Sequence, residues 1–162
     1  MTRKIFEMPT TVKGIIGWRE LISLPDLGIG EMKAKIDTGA RTSALHAENQ
    51  EIFERDGEQW VRFSIPVPGK PRLTTVEAPL LDRRNIKNTS GQPEQRLVVR
   101  TTLRMGKRHW HIDVSLADRK KMEFDIILGR TAIRGRGLLV DSGRSFLAGK
   151  PTIRAAKITK IK

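Results

Sequence analysis

Alternation of apolar and polar residues, repeated along much of the chain, leaves little room for helices. It is clearest at Leu97, Val99, Thr101, Leu103 and Met105, which fall on one face while Arg100, Thr102 and Arg104 fall on the other. Gly106-Lys107 supplies a turn, and the chain returns with Trp110, Ile112, Val114 and Leu116 in step. Successive side chains of a strand point to opposite faces, so this stretch predicts a β-hairpin with one apolar side. Asp56-Gly57 marks a second hairpin, because this pair accepts the positive φ of a tight turn; Glu51 to Arg55 and Trp60 to Val67 flank it. A third is expected where Gly137 to Val140 meets Ser145 to Leu147 through a turn at Asp141-Ser142-Gly143-Arg144. Val12 to Ile16 and Met32 to Ile36 read as further strands. With about seven short strands between turn signals, a small all-β barrel or sandwich follows. One helical turn is expected, Thr131 to Arg134, ended by Gly135. Pro66 to Pro79 reads as a surface connection and Arg83 to Gln95 as a polar, flexible segment.

The 162 residues suit one domain: an extension at 1–11, the domain at 12–150 and a basic tail at 151–162 carrying Lys157, Lys160 and Lys162. The chain has no cysteine, which excludes disulfides, thiolate metal sites and thiol catalysis. Residues 1–11 lack the apolar run of a signal peptide, and no stretch approaches the ~20 apolar residues of a membrane helix, so a cytoplasmic protein with no membrane partner is expected. Lysine and arginine total 31 against 18 acids, a net charge of +13. A surface this basic attracts polyanions or acidic peptides.

Two segments carry chemistry. Ala34-Lys35-Ile36-Asp37-Thr38-Gly39-Ala40 is an apolar strand end running into Asp-Thr-Gly-Ala, and Phe124-Asp125-Ile126-Ile127-Leu128-Gly129-Arg130 is an apolar strand ending in glycine. Each alone is a common pattern. Together, in this order and in an all-β chain of this size, they resemble the retropepsin-like aspartic proteases. The longer strings Lys35 to Ala47 and Leu128 to Ile133 are similar to a bacterial family often labelled ATP-dependent zinc proteases, whose fold is retropepsin-like. The similarity runs from roughly Val12 to Leu147.

The resemblance implies a closed or partly closed retropepsin-like barrel with one short helix. It implies that Asp37 is the catalytic carboxylate, with Thr38 bonding across to a partner loop and Gly39 letting the backbone turn sharply. Ala40, Arg41, Asp125, Ile127, Leu128 and Gly129 become candidate substrate-binding residues around that loop, and Ser90 and Gly91 the tip of a covering flap. Asp125 also reads simply as a strand-start residue. Arg41 departs from the viral pattern, which has an acid there, and could meet an acidic substrate side chain.

Peptide hydrolysis needs one group to take a proton from water and another to give one to the carbonyl oxygen. Two carboxylates about 3 Å apart share a proton and do both. One Asp-Thr-Gly per chain implies a homodimer with Asp37 from each subunit on a twofold axis. Asp141-Ser142-Gly143 is the intramolecular alternative, but 162 − 141 leaves 21 residues, too few for a second lobe.

No metal or other cofactor is expected. There is no His-Glu-x-x-His; His109 and His111 share one strand face with Asp113 and read as solvent decoration. The P-loop pattern is absent, since Gly149-Lys150 runs into Pro151. The charge, and the family's occurrence beside the ligase that adds glutamates to a ribosomal protein, imply an acidic peptide or protein substrate, such as oligoglutamate tails, and contact with the ribosome. The competing reading is a basic β-barrel that binds RNA or ribosome without catalysis, through Arg100, Arg104, Lys107 and Arg108. Aromatics at 5%, no tyrosine and no visible stacking platform weigh against it.

Overall fold

A computed structural model describes residues 12–88 and 90–152. The expected extension at 1–11 and the basic tail with its three lysines lie outside the described residues, apart from 151 and 152. Ten strands are present among them: β1 (Gly14–Leu24), β2 (Ile29–Asp37), β3 (Ser43–His46), β4 (Glu48–Arg55), β5 (Glu58–Ile65), β6 (Thr74–Lys87), β7 (Pro93–Met105), β8 (Arg108–Ala117), β9 (Ile126–Gly129) and β10 (Leu138–Ser145). A 3₁₀ turn covers Pro25–Leu27, and the four-residue helix α1 (Arg130–Ile133) stands one residue from its predicted place. No helix of the described residues is long and apolar enough to cross a membrane.

The all-β expectation holds, and the architecture is a closed barrel. Six strands run in the order β1-β2-β9-β3-β8-β7, and Ser23 of β1 pairs Arg104 of β7 to close the ring. β10 lies outside, parallel to β1, while β6, β5 and β4 continue the sheet away from β7. Alternation sets the core: Ile22, Leu24, Leu45, Leu103, Leu116, Ile126 and Leu128 point inward with no more than 2% of their surface exposed. Each such side chain contributes about 1.5–3 kcal/mol relative to leaving it in water. The Asp56-Gly57 turn forms as predicted, both residues at positive φ.

Three expectations are corrected. The segment after Gly137 is no hairpin. β10 pairs β1 from Gly14↔Leu138 to Gly17↔Asp141 and resumes at Arg19↔Ser145, so Ser142 to Arg144 form a bulge in one continuing strand. Asp141 Oδ1 accepts a hydrogen bond from Gly143 N at 3.0 Å, turn chemistry spent on a bulge. The bulge lies against Gly17, where a Cβ would stand 2.1 Å from the Arg144 carbonyl oxygen.

The surface connection begins a strand. β6 pairs β5 from Thr74 to Pro79 and β7 from Leu80 to Lys87, and Pro79 falls where it changes partner, a place that tolerates a missing N–H. Arg83 to Gln95 is likewise structured as the end of a long arm made by β6 and β7. Asn88 Oδ1 ties its tip by accepting from the backbone N–H groups of Ser90 and Gln92, both at 3.0 Å. These two errors explain why about seven strands were expected and ten are found.

One buried acid organises the far side. Glu20 is completely buried and accepts hydrogen bonds from Gly17 N at 2.6 Å, Leu147 N at 2.9 Å and Ala148 N at 3.0 Å. Its two oxygens fasten the chain that follows β10 to β1.

Candidate active site

β2 and β9 run side by side in parallel, with Asp37 opposite Gly129. Ala34 and Ile36 point into the barrel, so Lys33, Lys35 and Asp37 point out. Asp37 is half-buried; Thr38, Gly39 and Arg41, which follow, are exposed, with Ala40 half-buried between them.

The loop after Asp37 is held by the chain after β9. Ala40 N closes a turn on Asp37 O at 3.1 Å, and Arg130 N donates to Ala40 O at 2.8 Å. Arg41 O accepts from Thr131 N at 3.3 Å and from Thr131 Oγ1 at 2.8 Å. The Arg130 Nη1 group donates to both Thr38 O and Gly39 O at 3.3 Å. Behind the loop, Ser43 Oγ accepts from Gly129 N at 3.0 Å, and Ser115 Oγ donates to Ser43 O at 2.8 Å. The backbone carrying the carboxylate is thus fixed on several sides, as a preorganised site requires.

The glycines have separate reasons. A Cβ on Gly129 would lie 2.7–2.9 Å from the backbone of residues 40–42, so only glycine lets β9 approach the loop. Gly39 does not adopt a left-handed backbone, contrary to the expectation of a sharp turn that needs one; a Cβ there would meet Asp37 Oδ1 at 3.4 Å. Its use is open space beside the carboxylate.

Of the other candidates, Ile127 is half-buried and shares the outer face with Asp37, while Leu128 is fully buried in the barrel and backs the loop from inside. Asp125 is half-buried just before β9, and its carbonyl accepts from His46 N at 2.8 Å, a strand-start role. Ser90 and Gly91 sit exposed at the arm tip. A cavity of about 600 Å³ separates the stem of that arm (Arg84, Asn85, Ile86) from Arg41, Thr42 and Thr131. Asp141 lies on β10, which β1 separates from β2, so it stands about 10 Å from that strand, two strand spacings away.

Asp113 accepts from Arg100 Nε at 2.9 Å and lies 3.5 Å from Arg84 Nη2, while His109 and His111 are exposed. Among the described residues no three His, Asp or Glu side chains gather closely enough to hold a metal ion. The absence of a stacking platform needs correction: Phe53 and Trp60 face each other across β4 and β5 with ring centroids 6.4 Å apart. Arg55 lies 4.4 Å over Trp60 and Arg62 lies 4.5 Å over Phe53, and both guanidiniums bind Glu77. The rings are covered by the protein's own cations.

One residue near the site escaped the sequence. Arg119 follows β8 in a basic run that reads as solvated surface, yet it is 9% exposed. Its Nε donates to Phe124 O at 3.0 Å and its backbone N–H to His46 Nδ1 at 2.8 Å. His46 therefore carries its proton on Nε2 and donates it to Glu48 Oε2 at 2.6 Å. Burial pushes the Arg119 guanidinium below its ordinary value and the charge of Arg96 adds to this, while Asp125 and Asp37 oppose it.

The sequence model of a family described as RimB-like, retropepsin-like aspartic endopeptidase RimB, matches residues 15–151. A protein of Desulfotalea psychrophila named probable alpha-L-glutamate ligase is 45% identical over 140 residues, 85% of this chain. One of the same name from Parasynechococcus marenigrum is 40% identical over 151 residues, 92% of this chain. The chain spans 30% of the length of each of these relatives. The crystal structure of a protein of unknown function from Legionella pneumophila superposes with a TM-score of 0.72 at 30% identity, covering 84% of this chain and 98% of that one.

Proposed function

Because this chain belongs to the RimB-like family of retropepsin-like aspartic endopeptidases, we propose that it hydrolyses peptide bonds with Asp37 paired to Asp37 of a second copy. The observation that carries this reading is the outward-facing, half-buried Asp37 at the head of a loop pinned by Arg130 and Thr131, with Thr38 and Gly39 exposed beside it. Such a loop has a free face to meet its own copy, and the exposed Thr38 hydroxyl is available to cross to the partner's loop.

In the pair, one carboxylate takes a proton from a water molecule as its oxygen bonds to the carbonyl carbon. The other, protonated, gives its proton to the carbonyl oxygen. The tetrahedral species then collapses, the carbon–nitrogen bond breaks and the leaving amine takes up a proton. The β6–β7 arm is the flap over this centre, and the cavity between its stem and Arg41 is a stretch of the substrate groove.

The substrate is an acidic peptide or protein. Lys35 lies two residues from Asp37 on the same face of β2, Arg130 binds the loop itself, and Arg41 and Arg84 line the groove. These cations add locally to the overall charge of +13. The relatives named as glutamate ligases contain a segment similar to this chain, which associates the domain with glutamate chemistry. Oligoglutamate tails on a ribosomal protein fit these observations, with action in the cytoplasm.

The test is cleavage of glutamate-rich and neutral peptides by wild-type protein and Asp37→Asn, with sedimentation in parallel. Loss of cleavage in Asp37→Asn, inhibition by a statine-type compound and preference for acidic peptides at low salt are expected. A strict monomer with no Asp37-dependent cleavage would defeat the proposal in favour of RNA or ribosome binding.

A further inference from the structure

Arg119 is a buried cation with no anion of its own. Its recorded side-chain partner, the Phe124 carbonyl, is neutral, and none of the ion pairs among the described residues includes it. An arginine removed from water is ordinarily paired, because an uncompensated buried charge is costly. Arg96 raises that cost, since its like charge reaches Arg119.

The strand register places this cation. Lys35, Ile127, Ala44, Ser115 and Val98 form one row across the outer face of β2, β9, β3, β8 and β7. Ala44, Ser115 and Val98 point away from the barrel interior, yet each is at most 2% exposed. The chain linking β8 to β9 lies over this side, tied down by Arg119 N to His46 and Arg119 Nε to Phe124. Asp37 stands on the same face, one alternation beyond Lys35. Of the carboxylates whose charge reaches Arg119, Asp125 is one and Asp37 the other.

We propose that Arg119, with Arg96 nearby, is a carboxylate-binding subsite next to Asp37 that receives an acidic side chain of the substrate flanking the cleaved bond. The claim rests on the peptidase reading and narrows it: acid selectivity comes from one buried fork of donors and not from the diffuse surface charge. A guanidinium whose terminal nitrogens lack a carboxylate offers two parallel N–H groups to an incoming one. Surface charge attracts acidic chains at a distance and fades with salt, whereas a buried contact discriminates at close range and survives it.

The experiment measures equilibrium binding of hexaglutamate and hexaglutamine, both with amidated C-termini, to protein carrying Asp37→Asn so that no peptide is consumed. Arg119→Met should weaken hexaglutamate binding by about 10- to 100-fold at moderate salt and leave hexaglutamine unchanged. An unchanged ratio of the two affinities overturns the proposal. So does an Arg119-dependent gain found only for a free C-terminal carboxylate, which would assign Arg119 to the chain end. Should thermal melting show Arg119→Met unfolded, Arg119→Lys decides: it keeps the charge and loses the fork, so hexaglutamate binding should weaken several-fold with preference retained, and unaltered affinity overturns the idea. Failure of the wild type to cleave peptides would sink the peptidase reading, and this binding contrast would still be scored.

Discussion

The carboxylate of Glu20, completely buried, accepts a hydrogen bond at 2.9 Å from the backbone N–H of Leu147, 127 residues further along the chain. With Ala148 and Gly17 it satisfies three amides where water does not reach. Glu20→Ala leaves all three without an acceptor, at about 1–3 kcal/mol for each. Urea unfolding should show a loss of roughly 3–5 kcal/mol in total, allowing for partial rescue by water. A loss below about 1 kcal/mol would mean that the segment after β10 does not depend on this acid.

Gly129→Ala separates activity from stability. The added methyl must displace the backbone of residues 40–42, and Asp37 moves with that loop. A shift of about 1 Å at a reacting group can cost ~100-fold in rate. Peptide turnover should fall by about that factor while the melting temperature changes by only a few degrees. Equal losses of both, or of neither, would contradict the role given to this close approach.

Acid should weaken the outer sheet first. Hydrogen bonds from Arg55 and then Arg62 hold the Glu77 carboxyl below its ordinary 4.5. The unfolded chain takes up this proton more readily than the folded one, so the contribution is complete above pH 4.5 and is lost as pH falls through the lower, folded value. Stability curves of wild type and Glu77→Gln should therefore converge below pH 4.5. A constant gap down to pH 3 would deny the linkage.

Asn88→Ala removes the acceptor that closes the arm tip against Ser90 and Gln92. Amide hydrogen exchange at the tip should quicken about 10-fold with the barrel amides unchanged. Peptide KM should rise more than kcat falls if the arm covers substrate. Unaltered exchange would show that the tip is ordered by something other than this side chain.

Alternation made the hairpins legible because side chains on the barrel wall obey a period of two: Trp110, Ile112, Val114 and Leu116 are all buried as the pattern requires. The Asp37 loop and the Ile127-Leu128-Gly129 strand were legible as a pair, and they are hydrogen-bonded neighbours. What failed was the assignment of polar strands. Arg83 to Lys87 looks like a loop because neither face of the arm packs into the barrel, so no apolar code is written there. Asp141-Ser142-Gly143 has turn chemistry, and nothing local distinguishes a reversal from a bulge accommodated by the distant Gly17. Arg119 could not be found from its neighbours, because Lys120 and Lys121 share its charge and only tertiary packing decides which of the three is enclosed.

β6 belongs to two structures at once, its first half a member of the outer sheet with β5 and its second half a side of the arm, with Pro79 at the handover. A single rod clamped at one end and overhanging at the other is a lever. Whatever grips the β4–β5 hairpin, a docking partner or the remainder of a longer polypeptide, holds the short end of that lever and transmits tilt to the end that reaches over Asp37.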